Sequence, residues 1–428
     1  MPTERIAFPK FHAKQKELYR AMYGPNTGGR YLWRCGRRFG KTTELEVIAA
    51  DRAIKGSAVG WFSPNYKLLL PSYKRILKLL RPIVAHASKV DGIIELKTGG
   101  SIEFWTLNDE DAGRSRSYDL AIIDEAGLVK KGLREIWEQS ISPTLLDRRG
   151  DAIMAGTPKG IDPENFFYVA ASDKSLGWAE HHMPTSSNPT LDPVGVAALI
   201  NEYPPLVYQQ EFLAEFVDWS GAAFFSLDSL MLELGMGAPM PQHVDCVFVT
   251  IDTAVKTGRE NDGTAVCYWA KSKLKGYPLV ILDWDIVQIE GALLETWLPT
   301  VFQNLEHYAQ LTKARMGSIG AFIEDKASGS ILLQQAARRG WPATAIDSDL
   351  TSVGKDERAI SVSGYVYRGV VKMTQHAYDK TVNFKGQSRN HFITQVCGYR
   401  IGVKDQMDDL LDAFCYGVAI ALGNADGH

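Results

Sequence analysis

Short apolar runs alternate with helical patterns along the first 160 residues. Arg30-Tyr-Leu-Trp-Arg-Cys35 and Val59-Gly-Trp-Phe-Ser63 have the length and apolar density of buried strands. A helical pattern follows each, ELEVIAADRAIK after the first and LLPSYKRILKLLRPI after the second. IIELKTGGSIEFWTL alternates on either side of Gly99-Gly100 and predicts a hairpin. Leu120-Ala-Ile-Ile-Asp124-Glu125 reads as a central parallel strand ending in two acids, and Asp151-Ala-Ile-Met-Ala-Gly156 as a further strand. Strand, loop and helix in repetition predict an α/β sheet domain.

Glycine and proline punctuation between Trp219 and His243, with one short helix, marks a join. Beyond it, Asp245–Asp252, Thr264–Ala270 and Pro278–Asp283 predict successive antiparallel strands, and Ala321–Asp325 a further strand ending in acids. Ala413–Gly423 predicts a buried helix, shorter than the ~18 apolar residues of a membrane span.

At about 150 residues per domain, 428 residues predict two or three domains. Hydrophobic residues at 45% and charged residues at 23% exclude collagenous and wholly disordered chains. The start, MPTERIAFPKFHAKQ, has no signal-peptide apolar core, and five scattered cysteines form no CxxC pair. The expectation is a soluble cytosolic protein without a disulfide framework or zinc cluster. His181-His182 and the ten tryptophans are expected to be packing or surface residues. The net charge of −3 argues against a protein that coats nucleic acid. It conceals an asymmetry, since residues 1–100 carry +12, residues 101–250 carry −14 and the rest −1.

The strand-to-helix junction Gly36-Arg-Arg-Phe-Gly40-Lys41-Thr42 has the chemistry of a phosphate loop: backbone N–H groups around phosphate, Lys41 on the β- and γ-phosphates, Thr42 on Mg²⁺. Cys35 occupies the first position of GxxxxGK[ST], so the pattern is a shortened variant. Asp124 is expected to hold the metal through its water shell and Glu125 to act as general base. Thr157, in GTPKG at the tip of the next strand, is expected to sense the γ-phosphate.

In the second half, acids end two apolar strands, at Asp252 and at Glu324-Asp325, and crowd the start of a helix in Asp408-Asp409-Leu-Leu-Asp412. Asp409 and Asp412, three apart, share a helix face. Two-metal phosphodiester hydrolysis needs carboxylates converging from separate elements so that the metals stand ~3.5–4 Å apart. Residues 351–400 carry 8 basic and 3 acidic groups, Lys355, Arg358, Lys385 and Arg389 among them, either a solvated face or a hold on a phosphate backbone.

CGRRFGKTTE, GRSRSYDLAIIDEA, MAGTPKG, Ser187-Asn-Pro-Thr-Leu191 and YQQEFLAEF, in this order from about Phe11 to Ala421, resemble the large terminase subunit of tailed bacteriophages. The resemblance implies an N-terminal P-loop ATPase core at 1–165, a lid at 166–220, a connector at 221–242 and a ribonuclease H-like nuclease domain at 243–428. It places Gly36, Arg37, Arg38, Gly40, Lys41, Thr42, Asp124 and Thr157 around ATP and Mg²⁺. Gln15 would read adenine, and Arg37, Arg38, Arg114 and Arg116 are candidate arginine fingers. The nuclease would hold two Mg²⁺ or Mn²⁺ on Asp252, on Glu324 or Asp325, and on Asp409, with Asp408 and Asp412 in reserve. Implied partners are double-stranded DNA, a small terminase subunit, the portal protein of the procapsid and further copies of the chain in a ring. The implied location is the host cytoplasm and transiently the procapsid, with no membrane. A helicase-nuclease of DNA repair would require a second motor-like domain, and residues 240–428 show no second GKT or DExx strand. A nucleotide-switched scaffold protein would leave Asp252, Glu324/Asp325 and Asp409 without a shared task.

Overall fold

The computed structural model describes residues 6–22, 27–129, 131–220, 222–253, 263–273, 276–288, 294–326, 328–401 and 406–423. The chain divides into two compact units, Met1–Leu199 with Pro205–Asp218, and Ile200–Pro204 with Trp219–His428. Among the described residues no helix is long and apolar enough to cross a membrane.

The first unit is built on eight strands: β1 (Arg30–Cys35), β2 (Ala58–Ser63), β3 (Val84–Ser88), β4 (Ile93–Leu96), β5 (Ser101–Thr106), β6 (Leu120–Ile123), β7 (Asp151–Gly156) and β8 (Ala179–Met183). Their order is β3-β4-β5-β2-β6-β7-β1-β8. β4 pairs antiparallel with β3 and with β5, the expected hairpin, and the other neighbours are parallel. β6 and β7 are buried at every position, as strands covered on both faces must be. Alternation along β1 and β6 distributes the side chains: Trp33, Cys35, Leu120 and Ile122 enter one core, Leu32, Ala121 and Ile123 the other. Helices α1 (Ala13–Ala21), α2 (Lys41–Ile54) and α3 (Tyr66–Leu80) complete the part of this unit that carries the phosphate loop. The order sets β7 between β6 and β1, so Thr157 follows the strand flanked by the acidic strand and the loop strand.

The second unit has a six-stranded sheet of β9 (Cys246–Asp252), β10 (Thr264–Lys271), β11 (Leu279–Val287), β12 (Ser318–Ile323), β13 (Ala343–Ala345) and β14 (Val371–Met373), ordered β13-β12-β9-β10-β11-β14. β9, β10 and β11 are antiparallel, while β12 runs parallel to β9, so the sheet is mixed. β11 continues four residues past the predicted end at Asp283, because Tyr308 and Lys380 bond the Asp283 carboxylate inside the sheet. The C-terminal helix, Asp409–Leu422, packs on β9 and β10.

Candidate functional site

Each unit gathers acids at the carboxyl ends of neighbouring strands. In the first, β1 leads into a loop whose Gly40 has φ 100 and N-caps α2, a conformation that favours glycine. Gly36 is needed for another reason, since a Cβ there would stand 2.6 Å from the Phe212 carbonyl. The N–H groups of Gly36 and Arg37 are bonded to the carbonyls of Met183 and Glu211. The first-turn N–H groups of α2, at Lys41, Thr42 and Thr43, lie where a helix offers donors to an anion.

The acidic strand meets this loop directly. Lys41 Nζ donates to Glu125 Oε1 at 2.5 Å, and Thr42 Oγ1 donates to Asp124 Oδ2 at 3.3 Å. Burial and then the neighbouring Glu125 charge push the Asp124 carboxyl up to about 7. Burial disfavours the Lys41 ammonium, but Glu125 and Asp124 outweigh it and hold its pKa above the usual range. Glu125 itself has φ 55, a left-handed backbone that non-glycine residues adopt at a cost of roughly 1–3 kcal/mol. A cation beside two clustered carboxylates and a threonine hydroxyl is an arrangement that a metal-bound triphosphate would satisfy by taking Lys41 from Glu125.

The wider loop is braced by residues of the quoted motifs to which the sequence assigned no individual role, and by Thr185. Glu211 is buried and takes Arg37 Nε at 2.5 Å, Lys159 Nζ at 3.0 Å and Gln210 Nε2 at 2.9 Å. Burial would raise its pKa, but Lys159 and Arg37 dominate and pull it down to about 2. Thr185 Oγ1 and Asn188 Nδ2 donate to the Arg37 and Arg38 carbonyls. Gln15 is buried, with Oε1 accepting the His12 N–H and Nε2 donating to the Gly40 carbonyl at 3.1 Å, so it supports the loop. Arg114 is exposed and paired with Asp111, and Arg116 is paired with Glu103 against the Trp105 ring. Thr157 is buried, and its carbonyl lies where a Cβ on Gly127 would fall, which holds the turn after the acidic strand against the turn after β7.

Glu44, one turn into α2, is fully buried, and both its oxygens lack a hydrogen-bond partner. Burial pushes its pKa up to about 9 from 4.5. A carboxyl raised in the folded state binds protons more tightly there, so stability is greatest below about 4.5 and falls as pH rises toward about 9. Glu44→Met should therefore raise the melting temperature, with a stability gain of several kcal/mol at pH 8 and under about 1 kcal/mol at pH 5. Melts of both proteins across that range test this, and a gap that does not grow with pH contradicts it.

In the second unit, parallel pairing of Ile323 with Ile251 places Glu324 beside Asp252. The Glu324 N–H donates to the Ile251 carbonyl at 3.1 Å. Thr250 Oγ1 donates to the Ala413 carbonyl at 2.8 Å, just past the first turn of the C-terminal helix, and ties that helix to β9. Asp252, Glu324, Asp409 and Asp412 are all buried. Burial, a hydrogen bond to Glu324 and the charges of Asp412, Glu324 and Asp409 raise Asp252 well above the carboxylate range. Glu324 moves the other way: against burial, the bond from Asp252 and the Lys326 ammonium at 2.5 Å hold its pKa down. Tyr416 Oη also donates to Glu324 Oε1, at 3.0 Å. Asp409 accepts the Gly263 N–H at 3.2 Å. Asp412 is paired with buried Arg358, whose guanidinium lies 4.5 Å from the Tyr416 ring centre. Asp408, the N-cap of the helix, pairs with Lys355 at 2.6 Å, and Asp325 is exposed and accepts from Ser330.

The structure thus brings Asp252, Glu324, Asp409 and Asp412 together and leaves Asp325 and Asp408 outside. Among the described residues, no group of three or more His, Cys, Asp or Glu side chains is already set to hold a metal ion. Lys326 pairs with Glu324 and Arg358 with Asp412 instead, and burial among these acids disfavours a charge on Asp252. The donor chemistry nevertheless fits a hard divalent cation, because every candidate ligand is a carboxylate oxygen and Asp252 is buried among like charges.

No family model matches the chain. A large terminase subunit of Escherichia phage T5 is 25% identical over 207 residues, 47% of this chain and 47% of that protein. The counterpart in Thermus phage G20c is 28% identical over 159 residues, 31% and 32% of the two chains. The chain therefore aligns with about half the length, or less, of these relatives. In fold, the solved large terminase of a thermophilic bacteriophage matches 97% of this chain and 100% of its own, with a TM-score of 0.67 at 16% identity. The likeness extends over both units, and the two-domain α/β fold is that of large terminases.

Proposed function

From this kinship to the large terminase subunits of phages, we propose that the chain is a DNA-packaging motor subunit joining an ATPase to a metal-dependent DNA endonuclease. The observation that carries the proposal is the convergence of strand-end acids in both units of one terminase-like fold, on Lys41 and Thr42 in the first and around Asp252 in the second. The terminase of the thermophilic bacteriophage has been solved with ATP-γ-S and with ADP, which supports a nucleotide at the equivalent loop here.

In this reading residues 1–165 form the motor core, 166–220 the lid, 221–242 the connector and 243–428 the nuclease. Lys41 and Thr42 would hold ATP and Mg²⁺ with Asp124 beside them, the cation would offset phosphate charge, and Glu125 would accept the proton of the attacking water. Thr157 and Lys159, tied to the lid through Glu211, carry the change at the γ-phosphate outward. In the nuclease, Asp252, Glu324 and Asp409 would hold the cations, with Asp412 held by Arg358. Bound Mg²⁺ or Mn²⁺ would stabilise the attacking and leaving oxygens of a phosphodiester. Tyr416 and Lys326 keep Glu324 ionised and oriented for that purpose. The packaging role adds double-stranded DNA as substrate, a small terminase subunit, a portal protein and a ring of like subunits. A scaffold protein has no need of converging buried acids. A helicase needs a second motor sheet, whereas the second unit's sheet is mixed.

The purified chain should release phosphate from ATP with Mg²⁺, faster when linear duplex DNA is added, and should nick supercoiled plasmid with Mn²⁺ but not with EDTA. Phosphate release without any nicking would reduce the proposal to an ATPase alone.

A further inference from the structure

Thr43 directly follows Thr42 on α2, and Glu46 and Val47 stand one turn further along the same face. With Ile6, Pro9 and Leu79 they wall a cavity of about 850 Å³. Sites for small molecules occupy roughly 300–1,000 Å³. A nucleotide whose β- and γ-phosphates sit at Lys41 and Thr42 extends its α-phosphate and ribose away from that end, and the cavity begins at the next residue.

One polar feature in the wall is built with care. Glu46 is buried and accepts Arg75 Nε at 2.9 and 3.0 Å and Arg75 Nη2 at 2.6 Å, while Nη2 also reaches Ser72 Oγ at 3.3 Å. These bonds fix a planar, half-exposed guanidinium at the cavity edge. Such a group offers a face for stacking and donors for ring or sugar acceptors, and little entropy is left to lose. Gln15, the residue expected to read the base, is not in this wall, and its amide is engaged by His12 and Gly40.

We infer that this cavity receives the nucleoside of the bound nucleotide and that Arg75, oriented by Glu46, sets the affinity for it. The inference rests on the ATPase reading of the first unit.

Titration calorimetry of the full chain with ATP and, separately, with inorganic tripolyphosphate tests it, since tripolyphosphate engages the phosphate loop alone. Arg75→Ala should weaken ATP about tenfold and leave tripolyphosphate within about twofold. Arg75→Lys, lacking the planar fork, should behave like Arg75→Ala. Leu79→Trp, which fills the cavity from one turn further along α3, should show the same split, and retained tripolyphosphate binding shows that each variant is folded. Unchanged ATP affinity in Arg75→Ala, or equal weakening of both ligands, overturns the inference. If wild type binds neither ligand, the ATPase reading fails and the inference with it.

Discussion

Glu125→Gln should lower the ATP turnover rate by about 10²- to 10⁴-fold, the range expected for loss of a positioned general base. Its effect on binding should be opposite in sign. Glu125 holds the Lys41 ammonium at 2.5 Å, and the uncharged amide releases that lysine to the phosphates. The variant should therefore bind ATP at least as tightly as wild type while failing to hydrolyse it. Phosphate release in single turnover, read beside the ATP dissociation constant, checks both halves. A variant that turns over normally removes Glu125 from the proposed role. One that loses binding and turnover together gives it a task in binding instead. Nicking by the second unit should be unaffected.

Asp252→Asn should abolish plasmid nicking, by about 10²-fold or more, because the metal contribution to transition-state stabilisation is worth several kcal/mol. ATP turnover should be unchanged. The same substitution should not destabilise the metal-free protein, since burial and the neighbouring Glu324, Asp412 and Asp409 disfavour a charge on Asp252, and an amide of the same shape carries none. Stability kept while activity is lost is the signature of a site whose charges were assembled for function. Thermal melts with and without Mn²⁺ supply the second readout, because wild type should gain stability from the cation and Asp252→Asn should gain much less.

The features legible in the sequence were those written locally. The apolar run Leu120–Ile123 closing on Asp124-Glu125, and the run through Asp252, mark strand ends because a carboxylate has no routine place in an apolar strand. The glycine pair at 99–100 marked the hairpin for the same local reason. Long-range partners were not legible. Glu211 acquires its role from Arg37 and Lys159, 174 and 52 residues away, and Tyr416 from Glu324, 92 residues away. Neither spacing leaves a mark in a periodicity. Asp408, Asp409 and Asp412 looked alike as acids at a helix start, and packing separated them: Lys355 takes the cap, while the first turn carries the other two into the core. Asp283 looked like the end of a strand because its compensating partners, Tyr308 and Lys380, lie elsewhere in the chain. The edge strand β8, Ala-Glu-His-His-Met, gave no strand signal, since an edge needs only one paired side.

The central claim is that one chain holds two chemically independent centres. It is tested most directly by a crossed assay of wild type, Glu125→Gln and Asp252→Asn, each measured for phosphate release with Mg²⁺ and for plasmid nicking with Mn²⁺. The account predicts a clean exchange: Glu125→Gln nicks but does not hydrolyse ATP, and Asp252→Asn hydrolyses ATP but does not nick. Loss of both activities in either variant, or of neither, would contradict it.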